Sequence, residues 1–196
     1  MSNIAKRKAQ TQTMVLGAVL TAIVVILQFM GAFVRFGTFQ ISLVLIPIVI
    51  GAATCGVWIG TWLGFVFGAV VLLNGDATLF MNINAAGTII TVLAKGAACG
   101  FVSGIVYKGL EKHNRYLAVI AAAIVCPIVN TGVFVLGCIT FFFETMKAEA
   151  GASGNDTVLI YVLIAYVGLN FFVELAANVI LSPIITRVLK FGKKSL

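Results

Sequence analysis

The sequence predicts an all-α integral membrane protein with six transmembrane helices and both termini on the cytoplasmic side. Three observations carry that prediction. The first is composition: 61% of the 196 residues are hydrophobic and 10% charged, with a mean hydropathy of +1.14. A soluble domain of this size cannot hide so much apolar surface, because a large share of any folded surface faces the solvent. The second is that the apolar residues run in segments close to the ~20 residues a helix needs to cross a bilayer. The third is charge placement. Ten of the thirteen Lys and Arg residues fall in the N-tail, one internal loop and the C-terminal end, all on one side if there are six spans. Positive charge collects on the cytoplasmic side.

The elements follow in order, within a single domain over residues 1–196. Residues 1–12, containing Lys6, Arg7 and Lys8, precede the first apolar run without an A-x-A cleavage signal and are expected to be a retained cytosolic tail. The first span is expected at 13–33. Spans two and three, at 40–55 and 57–73, are separated only by Thr54-Cys55-Gly56 and predict a helical hairpin, with span two kinked at Pro47. Residues 74–87 form an outer loop in which Leu79, Phe80 and Met81 interrupt polar side chains. That mixture fits either a lid folded over a cavity or a loop dipping into the interface. Span four is expected at 87–107. A loop with Lys108, Lys112 and Arg115 against Glu111 leads to span five at 117–142, bent at Pro127. The polar stretch from Glu144 to Asp156 is expected to be a mobile outer loop. Span six is expected at 158–187, bent at Pro183, with residues 190–196 as a cytosolic C-tail.

Two spans carry a packing signal. Gly56, Gly60, Gly64 and Gly68 recur every four residues in the third, and Gly96, Gly100 and Gly104 do so in the fourth. Small residues at that spacing line one helix face and admit a neighbouring backbone, which drives association where no hydrophobic effect operates. The expectation is packing within one bundle, with self-assembly between copies as the alternative. Trp58 and Trp62 read as part of an aromatic belt at the interface.

Several function classes are excluded. The positive charges make no basic face interleaved with aromatics, which argues against nucleic-acid binding. Cys55, Cys99, Cys126 and Cys138 occur singly and His113 is the only histidine, so neither a metal site nor a cofactor is expected, and the cysteines read as small packing residues. No G-x-x-x-x-G-K-S/T motif is present, so the chain does not hydrolyse ATP itself.

Only Lys95 and Glu174 among the charged residues lie deep inside apolar segments. Intramembrane ionisable residues are costly and mark functional sites by default. Counting 1.5 Å per residue from Gly87 puts Lys95 about 12 Å into its span. Asn170, Glu174 and Asn178 recur every four residues and form one polar stripe on the sixth. Asn130 and Thr131 on span five, and Thr88 and Thr91 on span four, add donors and acceptors. The candidate binding residues are therefore Lys95, Asn130, Thr131, Asn170, Glu174, Thr91, Asn84 in the second outer loop and Arg35 in the first. Two arrangements remain open at this point. Lys95 and Glu174 pair with one another as a structural element, or Lys95 holds an anionic group of a solute while Glu174 accepts from its donors. Arg35 either caps the pocket mouth or marks the membrane interface.

The first span also contains Ala18-Val-Leu-Thr-Ala22, an A-x-x-x-A pattern near its start. Together with about 200 residues, six spans and both termini cytosolic, this pattern resembles the S components of energy-coupling factor (ECF) transporters, the substrate-binding membrane subunits for vitamin uptake. The runs FGTFQISLVLIPIVIGAATCGVWIGTWLGFVFG (36–68), PIVNTGVFVLG (127–137) and GLNFFVELAANVILSPII (168–185) are similar to that family as well. The resemblance implies a non-enzymatic solute-binding subunit in the plasma membrane, with Ala18 and Ala22 docking on a transmembrane coupling subunit that works with two cytosolic ATPases. It leans towards pantothenate, whose carboxylate suits Lys95 and whose hydroxyl and amide groups suit the asparagines. Riboflavin or folate would want more stacking, to which Phe80, Phe134 and Tyr166 could contribute. Two other classes fit the bare sequence: a self-assembling channel or scaffold built on the glycine faces, and a membrane-embedded enzyme using Glu174 as acid or base.

Overall fold

The structure, a computed structural model, describes the backbone of residues 3–33, 35–36, 39–40, 43–154 and 157–194. Side chains are described at Arg7, 10–31, 43–154, 157–168 and 171–183. Helix α1 spans Asn3–Phe33, so the polar N-tail continues the first span as helix from Asn3 onward. A two-residue antiparallel ribbon follows, β1 (Arg35–Phe36) with β2 (Phe39–Gln40). Helices α2 (Leu45–Thr54) and α3 (Val57–Leu73) make the expected hairpin, turning at Gly56 with φ +97°, a value that only glycine adopts without strain. The second span departs from expectation. Only ten residues are helical, about 15 Å of rise. Pro47 falls in the first turn, where backbone N–H groups have no intrahelical partner to lose, and so does not kink it.

A short helix, α4 (Thr78–Ile83), occupies the predicted loop and leads into α5 (Ala85–Leu110). Helices α5 and α6 (Arg115–Phe141) both begin at asparagine caps. Asn84 Oδ1 accepts from Gly87 N, and Asn114 Oδ1 accepts from Tyr116 N and Leu117 N, satisfying N–H groups that a helix start leaves open. Pro127 lies inside a helix that runs on unbroken past it. The stretch expected to be a mobile loop is instead helix α7 (Phe143–Ala152), with Met146 and Ala150 buried. The last span is broken. Helix α8 (Val158–Val162) passes into a π-helical segment, Leu163–Val167, before α9 (Gly168–Lys194). The two parts meet at 53°, and the break falls at Gly168, φ +30°, rather than at Pro183.

Glycine decides which helices touch. A Cβ on Gly64 would collide with the Gly96 carbonyl and one on Gly100 with the Gly60 carbonyl. One on Gly68 would lie 2.7 Å from the Val92 oxygen. Each pairing sums to about the same number, so α3 and α5 run antiparallel with their backbones in contact, as the packing reading expected. Gly87 against Phe141 and Gly137 against Thr91 set α5 antiparallel to α6 by the same argument. Gly17 against Ile59, and Gln28 bonded to Asp76, set α1 parallel to α3. One end of the bundle therefore carries the turns at Cys55–Gly56 and Glu111–Asn114 and the start of α1. The other, the cap end, carries α4, α7 and α8.

Among the described residues, α1, α5 and α6 are each long and apolar enough to cross a membrane, and the bent α8–α9 pair passes as a fourth. Helices α2 and α3 are shorter and apolar. The chain is thus a helical multi-pass membrane protein. Trp58 and Trp62 are exposed near the turn end, where an aromatic belt would place them.

Candidate functional site

The α3–α5 contact fixes the two helices that carry Phe67 and Lys95, and the α5–α6 register brings Phe134 opposite Lys95. The Lys95 ammonium lies between the two rings, with Nζ 5.7 Å from the Phe67 centroid and 5.5 Å from that of Phe134. Glu174 on α9 is close enough for the two charges to act on one another. No ion pair or hydrogen bond joins their side chains among the described residues. Of the two arrangements left open by the sequence, a direct Lys95–Glu174 contact is thus not seen among the described residues.

Unsatisfied polar atoms surround that level of the bundle. Thr91 Oγ1, one turn from Lys95 on α5, is buried without a hydrogen-bond partner, and so is Asn130 Oδ1, one turn from Phe134 on α6. Asn178 is fully buried; its Nδ2 donates to the Glu174 carbonyl at 2.9 Å while its Oδ1 is left open. Most buried polar groups in folded proteins find partners, and leaving one unpaired costs about 1–3 kcal/mol. Several such atoms beside a cation make a set of donors and acceptors open to a polar solute.

Other expected residues are placed differently. Thr131 lies next in sequence to Asn130, but about 100° around the helix it lines a groove on the outside of α6. That groove, of about 870 Å³, is bordered by Ile128, Leu136, Leu163 and Phe171 and is almost wholly apolar. Asn84 spends its side-chain oxygen on capping α5. The side chains of Arg35 and Asn170 lie outside the described residues. Ala18 and Ala22 are exposed on the face of α1 opposite buried Gly17, Leu20 and Val24.

The cap end closes over Lys95 with aromatic side chains. Phe80 of α4 packs on Phe134 at 5.6 Å, Phe142 at 5.2 Å and Tyr166 at 5.5 Å between centroids. Of the two readings of the 74–87 loop, the inward seating of Phe80 fits the lid, although Leu79 is 74% exposed. Glu149 of α7 draws the broken span in, its Oε2 accepting from Tyr161 Oη at 3.0 Å and Tyr166 Oη at 2.9 Å. On the far side Asp76 accepts from Gln28 Nε2 and Asn74 Nδ2, joining the end of α1 to the loop after α3. Sequence reasoning missed Phe67, Glu149 and Asp76. The only available signals were a carboxylate beside an apolar run for Asp76 and Glu149 and one phenylalanine among many for Phe67, which are too common to single them out.

The family description "ECF transporter, substrate-specific component" matches this chain over residues 12–186. Comparison with curated proteins and with solved structures gives no match.

Proposed function

Because the chain belongs to the substrate-specific components of ECF transporters, substrate-binding subunits that are not enzymes, we propose that it captures a vitamin-class solute at the cap end. In this reading six spans cross the plasma membrane with both termini in the cytoplasm and the cap end outside. Lys95 takes the solute's carboxylate. Thr91, Asn130 and Asn170 take hydroxyl and amide groups, with Glu174 accepting from a donor. Thr131, Asn84 and Arg35 act at the periphery or the mouth. The exposed Ala18–Ala22 face docks on a transmembrane coupling subunit, and two cytosolic ATPases supply the energy that this chain cannot generate.

The observation that supports this most is the Lys95 ammonium lying against two rings, with no ion pair to a carboxylate among the described residues, near the open atoms of Thr91 and Asn130. A structural charge in an apolar bundle would be expected in contact with its counter-charge. Pantothenate, with one carboxylate, an amide and two hydroxyls, is the first solute to test. A ring-bearing vitamin is the second reading, favoured by the Phe80, Phe134, Phe142 and Tyr166 cluster directly above.

Native mass spectrometry of the detergent-purified protein, followed by calorimetric titration with pantothenate, riboflavin and folate, tests both. A co-purified vitamin or nanomolar binding, about −12 kcal/mol, is the expected result. A folded protein that carries no small molecule and binds none of the three overturns the reading.

A further inference from the structure

Lys95 has a carboxylate within its field and yet keeps its ammonium between two ring faces. The rings are held from outside the pair. Phe67 is 4% exposed and belongs to α3, whose backbone is locked to α5 by the glycine contacts. Phe134 is held edge-on by Phe80. A cation is drawn to the electron-rich face of an aromatic ring, and more strongly where water is excluded. Two faces in fixed positions therefore compete with Glu174 for the same ammonium. Were Lys95 to reach Glu174, each charge would cancel the other, and an arriving anion would have to break that contact first.

We propose that Phe67 and Phe134 are positioning residues that hold the Lys95 ammonium off Glu174, so that the empty site presents an unpaired cation to a carboxylate-bearing solute. This rests on the solute reading above and adds to it why the site stays open when empty. The rings need not touch the solute. Their effect passes through Lys95, and it is confined to solutes with a negative group.

Phe134→Leu keeps an apolar side chain in place and removes the ring face; Phe67→Leu does the same from α3. In Phe134→Leu, pantothenate affinity is expected to fall about tenfold, while binding of pantothenyl alcohol, which lacks the carboxylate, is unchanged. Adding Glu174→Gln to Phe134→Leu restores most of the loss, because the competing charge is gone while the glutamine amide oxygen still accepts from the solute's donor. A melting comparison needs no solute: Glu174→Gln lowers the midpoint by at least about 2 °C more in the Phe134→Leu background than in the wild type, since only there does Lys95 contact Glu174. Equal losses for pantothenate and the alcohol, or equal melting shifts in the two backgrounds, overturn the proposal. If the wild type binds no carboxylate-bearing vitamin, the solute reading falls and the melting comparison alone decides the positioning.

Discussion

Gly64 and Gly96 meet so closely across α3 and α5 that a side chain on either would run into the other's carbonyl. Lys95 precedes Gly96 and Phe67 is three residues past Gly64, so the position of the half-buried cation depends directly on this backbone contact. Alanine at either glycine has no space to enter. Gly64→Ala and Gly96→Ala are each expected to cost at least about 2 kcal/mol, on the scale of overpacked cores, and to lower the melting midpoint in detergent by about 5 °C or more. Gly109→Ala, at a helical glycine with open space around it, should be neutral or stabilising by about 0.5–1 kcal/mol. Equal effects at Gly96 and Gly109 would refute the contact.

Asn130 separates binding from folding, because its buried oxygen has no partner in the empty protein. Replacing it with leucine of similar size removes an unsatisfied polar atom. Asn130→Leu should keep or raise thermal stability, by up to about 1–3 kcal/mol, while weakening solute binding tenfold or more. Full-strength binding in a stable Asn130→Leu protein would remove this residue from the site.

Asn84 was expected at the site, and its oxygen caps α5. Asn84→Ala should destabilise by about 0.5–2 kcal/mol and Asn84→Ser should recover most of that, since serine also caps. Calorimetric titration of the serine variant then reads binding alone. An affinity equal to wild type would assign Asn84 to the cap and not to the solute.

Glu149 ties two tyrosine hydroxyls to one carboxylate oxygen and so joins α7 to the broken last span. Glu149→Ala is expected to lose about 1–3 kcal/mol, for hydrogen bonds to a charged group that stays partly exposed. Tyr161→Phe and Tyr166→Phe should each lose a part. Hydrogen exchange should rise in α7 and α8 and stay unchanged in α3 and α5; a uniform rise throughout the bundle would show that the contact is not local.

Ala18 and Ala22 present small side chains on a face that α1 does not bury. Ala18→Leu and Ala22→Leu should leave solute affinity and melting within error of wild type while lowering recovery of the coupling subunit in co-purification. Intact co-purification of the double variant would place the docking surface elsewhere.

How much of this was legible can be judged residue by residue. The glycine stripes were readable because small residues every four positions have one physical use in a bilayer, and the two stripes indeed face each other. That Lys95 and Glu174 are the two charges set deep within apolar segments was readable from the sequence as well. Helix α7 was not readable, because its segment is polar and its buried side chain Met146 packs in a cluster with Phe142 and with Val162 of α8. Nor was the break at Gly168, since Pro183 gave the stronger local signal and the contacts of Tyr161 and Tyr166 with Glu149, just before the break, are tertiary.

By itself, the sequence determined that this chain is a helical membrane protein, where its apolar segments lie and which two charges fall within them. Those properties are local, set by composition, spacing and the cost of putting charge in hydrocarbon. Tertiary structure alone decided what Lys95 touches. Its neighbours Phe67 and Phe134 stand 28 and 39 residues away along the chain, and they converge on it only because glycine contacts fix the register of three helices.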